Sequence, residues 1–112
     1  DQEINDLVDQ IANWEVIEND HSVTGDTAKG ETLYAACGAC HGATGEGNQA
    51  LGAPGLAGRN DWYMFRQIKL FKSGYRGSHP DDTAGKLMRP SVQALQSDDD
   101  INAVLAYINT LN

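Results

Sequence analysis

The stretch Cys37-Gly38-Ala39-Cys40-His41 decides how this chain is read, and its two cysteines are the only ones in the sequence. A single C-x-x-C-H has the spacing of a covalent haem attachment site. Two intervening residues form one tight turn, which lets both thiols reach the two haem vinyl groups. The next imidazole can then lie beneath the iron. Two other chemistries use a C-x-x-C pair. A redox dithiol needs a βαβ setting, and no β-rich run flanks the motif. A structural zinc site needs four ligands. Cys37, Cys40, His41 and either His21 or His79 could supply them, although no second paired spacing is present.

Composition bounds the rest. A chain of 112 residues is one domain by length, and so short a chain buries only a modest core. A covalently held haem would fill the centre and offset the small size. The formal charge of −8 disfavours nucleic acid and anionic membrane surfaces, and suits a partner with a basic docking patch. No apolar run approaches the about 18 residues of a membrane span. The chain opens on Asp1 without a recognisable signal peptide and reads as a mature, trimmed or excised form.

Outward from the motif, helical signals dominate. Asp26 or Thr27 caps a helix that runs into the motif, with Gly30, Leu33, Tyr34 and Ala36 on its inner side. Residues 42–58 are dense in Gly, Ala and Pro and exclude any long element. Asp61 reads as the N-cap of a helix over residues 62–72, with Trp62, Phe65, Ile68, Leu70 and Phe71 available for burial. Residues 73–90 read as a loop that holds Met88. Ser97 with Asp100 forms a variant capping pair ahead of a terminal helix carrying Ile101, Val104, Leu105, Tyr107, Ile108 and Leu111. No strand-like alternation is found, so the expected fold is all-α.

Ahead of all this, Ile4, Leu7, Val8, Ile11, Trp14 and Val16 recur at helical spacing over residues 4–17, followed by a polar linker over 18–26. The expected organisation is therefore a helix and linker over 1–26 and a haem domain over 27–112. The opening helix repeats the closing one: Asp1, Ile4, Asn5 and Ile11 match Asp98, Ile101, Asn102 and Ile108. Any acid-capped amphipathic helix shares part of that pattern. The sharper reading is that residues 1–17 are the last helix of a preceding cytochrome domain.

The ordered set C-G-A-C-H-G (37–42), G-A-P-G-L-A-G (52–58), the aromatic helix after Asp61, L-M-R-P (87–90) and L-Q-S-D-D-D-I-N-A-V-L-A-Y-I (95–108) resembles a class I cytochrome c. It is similar in particular to the haem domains of bacterial two-domain di-haem cytochromes c and to those fused to haem–copper oxidase subunit II. The resemblance covers residues 27–111. It implies three to four core helices around one covalently bound haem c, attached through Cys37 and Cys40, with the opening helix as an addition. His41 would be the proximal ligand through Nε2. The carbonyl of Pro54 would accept from its Nδ1–H, a bond that fixes the tautomer and raises ligand basicity. Gly30 and Tyr34 resemble the small-and-aromatic pair of a close helix crossing, with Val104 and Tyr107 as partners. Arg59 is the expected propionate partner through a charge-assisted bond, and Trp62 a second donor through its indole N–H.

The sixth ligand lies among Met64, Met88, His21 and His79. A thioether needs a segment that can cross the distal face, and Met88 sits two residues before Pro90 in such a segment. Met64 lies at helical spacing, where methionine is usually core. His79 and His21 fall in polar stretches. Lys69, Lys72, Arg76, Lys86 and Arg89 cluster around the Met88 segment and make the chain charge-asymmetric.

With both axial positions filled, the chain would be a one-electron carrier rather than an enzyme. Its expected partners are redox proteins such as a terminal oxidase or reductase complex, and its expected compartment is the periplasm. A peroxidase-like haem enzyme or a gas-binding sensor would need an open distal site, so ligation by Met88 separates the carrier from both.

Overall fold

Two helices that must cross closely organise the molecule, and a single glycine permits the crossing. The computed structural model describes residues 1–18 and 20–111. Five α-helices follow one another: α1 (Gln2–Ala12), α2 (Thr27–His41), α3 (Asp61–Ser73), α4 (Thr83–Val92) and α5 (Asp98–Ile108), with 3-10 turns at Gln49–Leu51 and Asn109–Leu111. Among the described residues there is no strand, only an isolated bridge between Asn48 and Ala53. The all-α expectation holds, with α2 to α5 as the body and α1 as the addition.

The Asp26 side chain caps α2 by accepting from Ala28 N–H and Lys29 N–H, each at 3.1 Å. A β-carbon on Gly30 would fall 1.9 Å from the Ala103 carbonyl oxygen and 2.9 Å from Tyr107 Cβ, so only glycine lets α2 lie this close to α5. One turn on, Tyr34 and Tyr107 fill the gap beside it with ring centroids 5.4 Å apart. The buried cluster around the crossing comprises Tyr34, Met64, Leu95, Ile101, Val104, Leu105 and Ile108. Each large aliphatic side chain there stabilises the fold by about 2 kcal/mol. Lys29 and Asp100 meet at 2.7 Å on the rim of the same crossing. Ser97 caps α5 as expected, accepting from Asp100 N–H at 3.2 Å, while the Asp100 carboxylate takes Gln96 N–H at 2.9 Å.

Four expectations are corrected. First, residues 83–92 are helical, so Met88 lies in α4 and not in a loop. The Asp82 carboxylate starts that helix by accepting from Gly85 N–H at 2.9 Å, and Pro90 lies inside it at the cost of the bond an N–H there would make to the Lys86 carbonyl. Second, Asp61 is the first residue of α3, and the N-cap position belongs to Asn60, whose side chain makes no capping bond. Third, Trp62 is exposed rather than buried. Fourth, the residue of α5 that meets Gly30 is Ala103, whereas Val104 points into the core.

The α1 helix stops at Ala12, short of the expected residue 17, because the Asn13 side chain bonds back to the Asp9 carbonyl at 2.7 Å and ends it. None of its residues is buried: Ile4, Leu7, Val8, Ile11 and, just beyond it, Trp14 are all more than half exposed. The radius of gyration, 15.9 Å, exceeds the about 13 Å of a compact domain of this length, as an unpacked helix requires.

Candidate haem-binding site

The motif occupies the last turn of α2, which ends at Gly42 with a positive φ of 91°. Helical spacing there leaves Cys37 half-buried and Cys40 exposed, both as free thiols, with His41 buried behind them. Burial pushes the Cys37 thiol up, and the neighbouring Cys40 adds to the effect. A redox dithiol needs the opposite shift.

The His41 ring is fixed from the other side by the glycine-rich loop. Gly47 N–H bonds to the His41 carbonyl at 2.7 Å, and Leu56 N–H and Ala57 N–H both reach the Gly45 carbonyl, at 2.7 and 3.1 Å. Asn48 and Ala53 exchange two backbone bonds across the turn at 49–52. At Gly47 φ is +84°, and a β-carbon would meet Gly55 N at 2.6 Å, so the loop folds back on itself only with glycine there. The loop thereby brings the Pro54 carbonyl to 2.7 Å from His41 Nδ1. A carbonyl oxygen only accepts, so the proton sits on Nδ1 and the Nε2 lone pair is left for a ligand bond. On the outer side of the loop, the Glu46 carboxylate accepts from Thr44 Oγ–H at 2.6 Å and Thr44 N–H at 3.0 Å, which holds it below its ordinary pKa.

The remaining sequence candidates fall around this centre in different states. Met64 is buried in the core. Met88 is half-buried on α4, between exposed Leu87 and exposed Arg89. His21 and His79 are both exposed, and the latter accepts from Asp81 N–H at 3.1 Å. Arg59 is exposed, with its Nε donating to the Gly55 carbonyl at 3.2 Å. Trp62 is exposed and stands edge-on to Tyr63, with centroids 6.2 Å apart. Among the described residues no three His, Cys, Asp or Glu side chains converge into a metal cluster. His21 and His79 therefore do not complete a tetrahedral set with the motif.

Sequence reasoning missed how the linker is held. The Asp61 carboxylate accepts from Ser22 N–H and Ser22 Oγ–H at 2.7 Å, from Val23 N–H at 2.8 Å and from Asn109 at 3.0 Å. Burial alone would raise its pKa, but these donors outweigh it and hold the carboxyl well below the usual carboxylate range. The clip fastens the segment before α2, and the turn after α5, to the start of α3. No local signal marks it, because its partners lie 38 to 48 residues away.

Two free thiols at the end of a helix, followed by a histidine whose Nε2 alone is available, fit a covalently attached haem. That donor set on an all-α body defines a class I cytochrome c. The family profile for cytochrome c matches residues 27–112, and the chain belongs to that family. Cytochrome c4 of Azotobacter vinelandii is 36% identical over 92 residues, which cover 74% of this chain and 42% of that protein. The thiosulfate dehydrogenase electron acceptor of Stutzerimonas stutzeri (strain A1501) is 34% identical over 99 residues, 80% of this chain and 42% of that protein. In three dimensions the chain is similar to reduced recombinant cytochrome c4 from Pseudomonas stutzeri, with a TM-score of 0.64, 28% identity, and coverage of 84% of this chain and 54% of that chain. The chain thus spans about two-fifths of the length of these curated relatives.

Proposed function

We propose that this chain is a mono-haem electron carrier whose iron is held by His41 and Met88, closed to small molecules and without a catalytic reaction of its own. The observation that carries the reading is the 2.7 Å bond between His41 Nδ1 and the Pro54 carbonyl. It leaves one imidazole nitrogen, in a defined tautomer, free of the loop on the residue that follows Cys40. Bound haem would supply the one-electron chemistry, at a potential set by its axial ligands and surroundings. Every other contribution is the protein's. Cys37 and Cys40 hold the group in place, and Pro54 keeps the His41 ring basic and oriented. Met88, on a helix instead of a loop, offers a soft sulfur that favours the reduced state. Arg59 keeps donors beyond its bond to Gly55 for a propionate, and exposed Trp62 keeps its indole N–H for the other.

Residues 27–112 form the haem domain in this reading, and residues 1–26 are a helix and linker outside it. The apolar stripe of α1 has the pattern that α5 buries against α2, which supports a preceding cytochrome domain in the same polypeptide as its cover. A reading frame that continues upstream of Asp1 into a second C-x-x-C-H would bear this out; one without it would overturn it. Among the described residues no helix is long and apolar enough to cross a membrane. Cytochromes of this family support a periplasmic location and partners in respiratory electron transfer, such as a terminal oxidase or reductase complex. A relative named as the acceptor for thiosulfate dehydrogenase supports a donor enzyme of that kind. The acidic N-terminal segment suits a basic docking patch on one partner.

The optical spectrum tests the ligation. The oxidised protein should be low-spin, with the weak long-wavelength band of sulfur-bound ferric haem, and Met88→Ala should abolish that band. A high-spin ferric spectrum of the unmutated protein at neutral pH would overturn the closed carrier.

A further inference from the structure

The net charge of this molecule is not where its haem is. Residues 1–26 hold eight of the sixteen carboxylate side chains and no lysine or arginine, while residues 27–112 carry eight of each sign. The whole formal side-chain charge of −8 therefore resides in the opening helix and linker, and the side chains of residues 27–112 sum to zero. Within that domain the charges are also segregated: seven of its eight cationic residues fall between Arg59 and Arg89, against three carboxylates. Of these three, Asp61 is buried in its clip, and Asp82 accepts from Gly85 N–H at 2.9 Å.

Most of the cations on this side have acceptors within the fold. Lys69 meets Asp98 at 2.7 Å, Lys72 donates to the Leu95 carbonyl and Lys86 to the Pro80 carbonyl. Arg76 lies 4.6 Å above the Phe71 ring and donates to Gln67 at 2.5 Å. Arg66 and Arg89 have no acceptor among the described residues, and of the two only Arg89, with Gly77, Lys86, Pro90 and Gln93, lines an open cleft of about 330 Å³. It also follows Met88 directly on α4. A planar fork of donors beside a lysine, open to solvent, matches a carboxylate.

We infer that the Arg89 cleft is the centre of a second docking surface, opposite in sign to the acidic N-terminal segment, which takes a carboxylate-rich patch on a redox protein. A carrier must meet both a donor and an acceptor, and two faces of opposite charge let it discriminate between them by steering. The relevance of this face to electron transfer rests on the Met88 reading, which places the haem beside α4. The binding surface itself does not.

Two measurements separate those layers. In amide spectra of the reduced, haem-loaded protein at low salt, the paramagnetic and redox-inert anion hexacyanochromate(III) should broaden Gly77, Lys86, Arg89 and Gln93 selectively. Arg89→Glu should remove that broadening, as should Lys86→Glu in a second variant. Broadening elsewhere, or none, overturns the surface whatever ligates the iron. Oxidation of the reduced protein by hexacyanoferrate(III) should then slow as salt rises, despite the net negative charge, and Arg89→Glu should slow it about 3- to 10-fold at low salt. A rate that rises with salt, unchanged in Arg89→Glu, would overturn the role of this face in electron transfer.

Discussion

Asp61 shows how one side chain can serve the fold in a way its neighbours in sequence do not reveal. An acid ahead of an aromatic helix reads as an N-cap, yet here the carboxylate, besides accepting from Trp62 N–H, collects donors from Ser22, Val23 and Asn109. Removing it would leave those donors unsatisfied in a buried place, so Asp61→Ala should destabilise the haem-loaded protein by about 3 kcal/mol at pH 7. The pH dependence follows from the depressed pKa. The stabilisation is complete above the unfolded value of about 4 and is lost as pH falls toward the lower folded value. Denaturant titrations should therefore show wild type and Asp61→Ala converging in strong acid; a difference constant from pH 7 downward would sink this account. His41 and Pro54 give the opposite lesson. Their pairing is legible through the resemblance that C-G-A-C-H-G and G-A-P-G-L-A-G carry, and the 2.7 Å bond puts them together.

Among the elements, the crossing of α2 and α5 was legible from Gly30 and the two tyrosines, whereas α4 was not. Residues 73–90 read as one loop holding Met88. What decides the matter is the cap at Asp82 and packing against α3, which no single-residue preference encodes. The crossing makes a sharp prediction. Gly30→Ala would push a methyl into the backbone of Ala103, and because backbone cannot swing aside as a side chain can, thermal unfolding should report a loss of about 2–3 kcal/mol. Gly38→Ala on the same helix meets only the Tyr34 ring edge at 3.2 Å. It gains helix propensity of about 1 kcal/mol in return, so its stability should stay within about 1 kcal/mol of wild type. Equal losses at the two positions would mean that the close approach of α2 to α5 is not what Gly30 provides.

Across the whole molecule, the same sequence pattern meets two different fates. Ile101 on α5 is fully buried against the α2 crossing, while Ile4, at the matching position of α1, is 61% exposed. Both helices carry apolar residues at helical spacing behind an acidic start, so that spacing alone does not say which stripe is covered; the partner surface decides it. In this chain Ile101→Ala should cost about 3 kcal/mol through transfer and cavity terms. Ile4→Ala should change stability by no more than about 0.5 kcal/mol, as for other exposed sites. The comparison also tests the cover proposed for α1. In a longer polypeptide whose preceding domain packs on that stripe, Ile4→Ala should become as costly as Ile101→Ala, measured as unfolding of the preceding domain. If Ile4→Ala stays silent there too, α1 is not the closing helix of a neighbour. Its acidic, apolar-striped surface would then have to be assigned to contacts outside the chain.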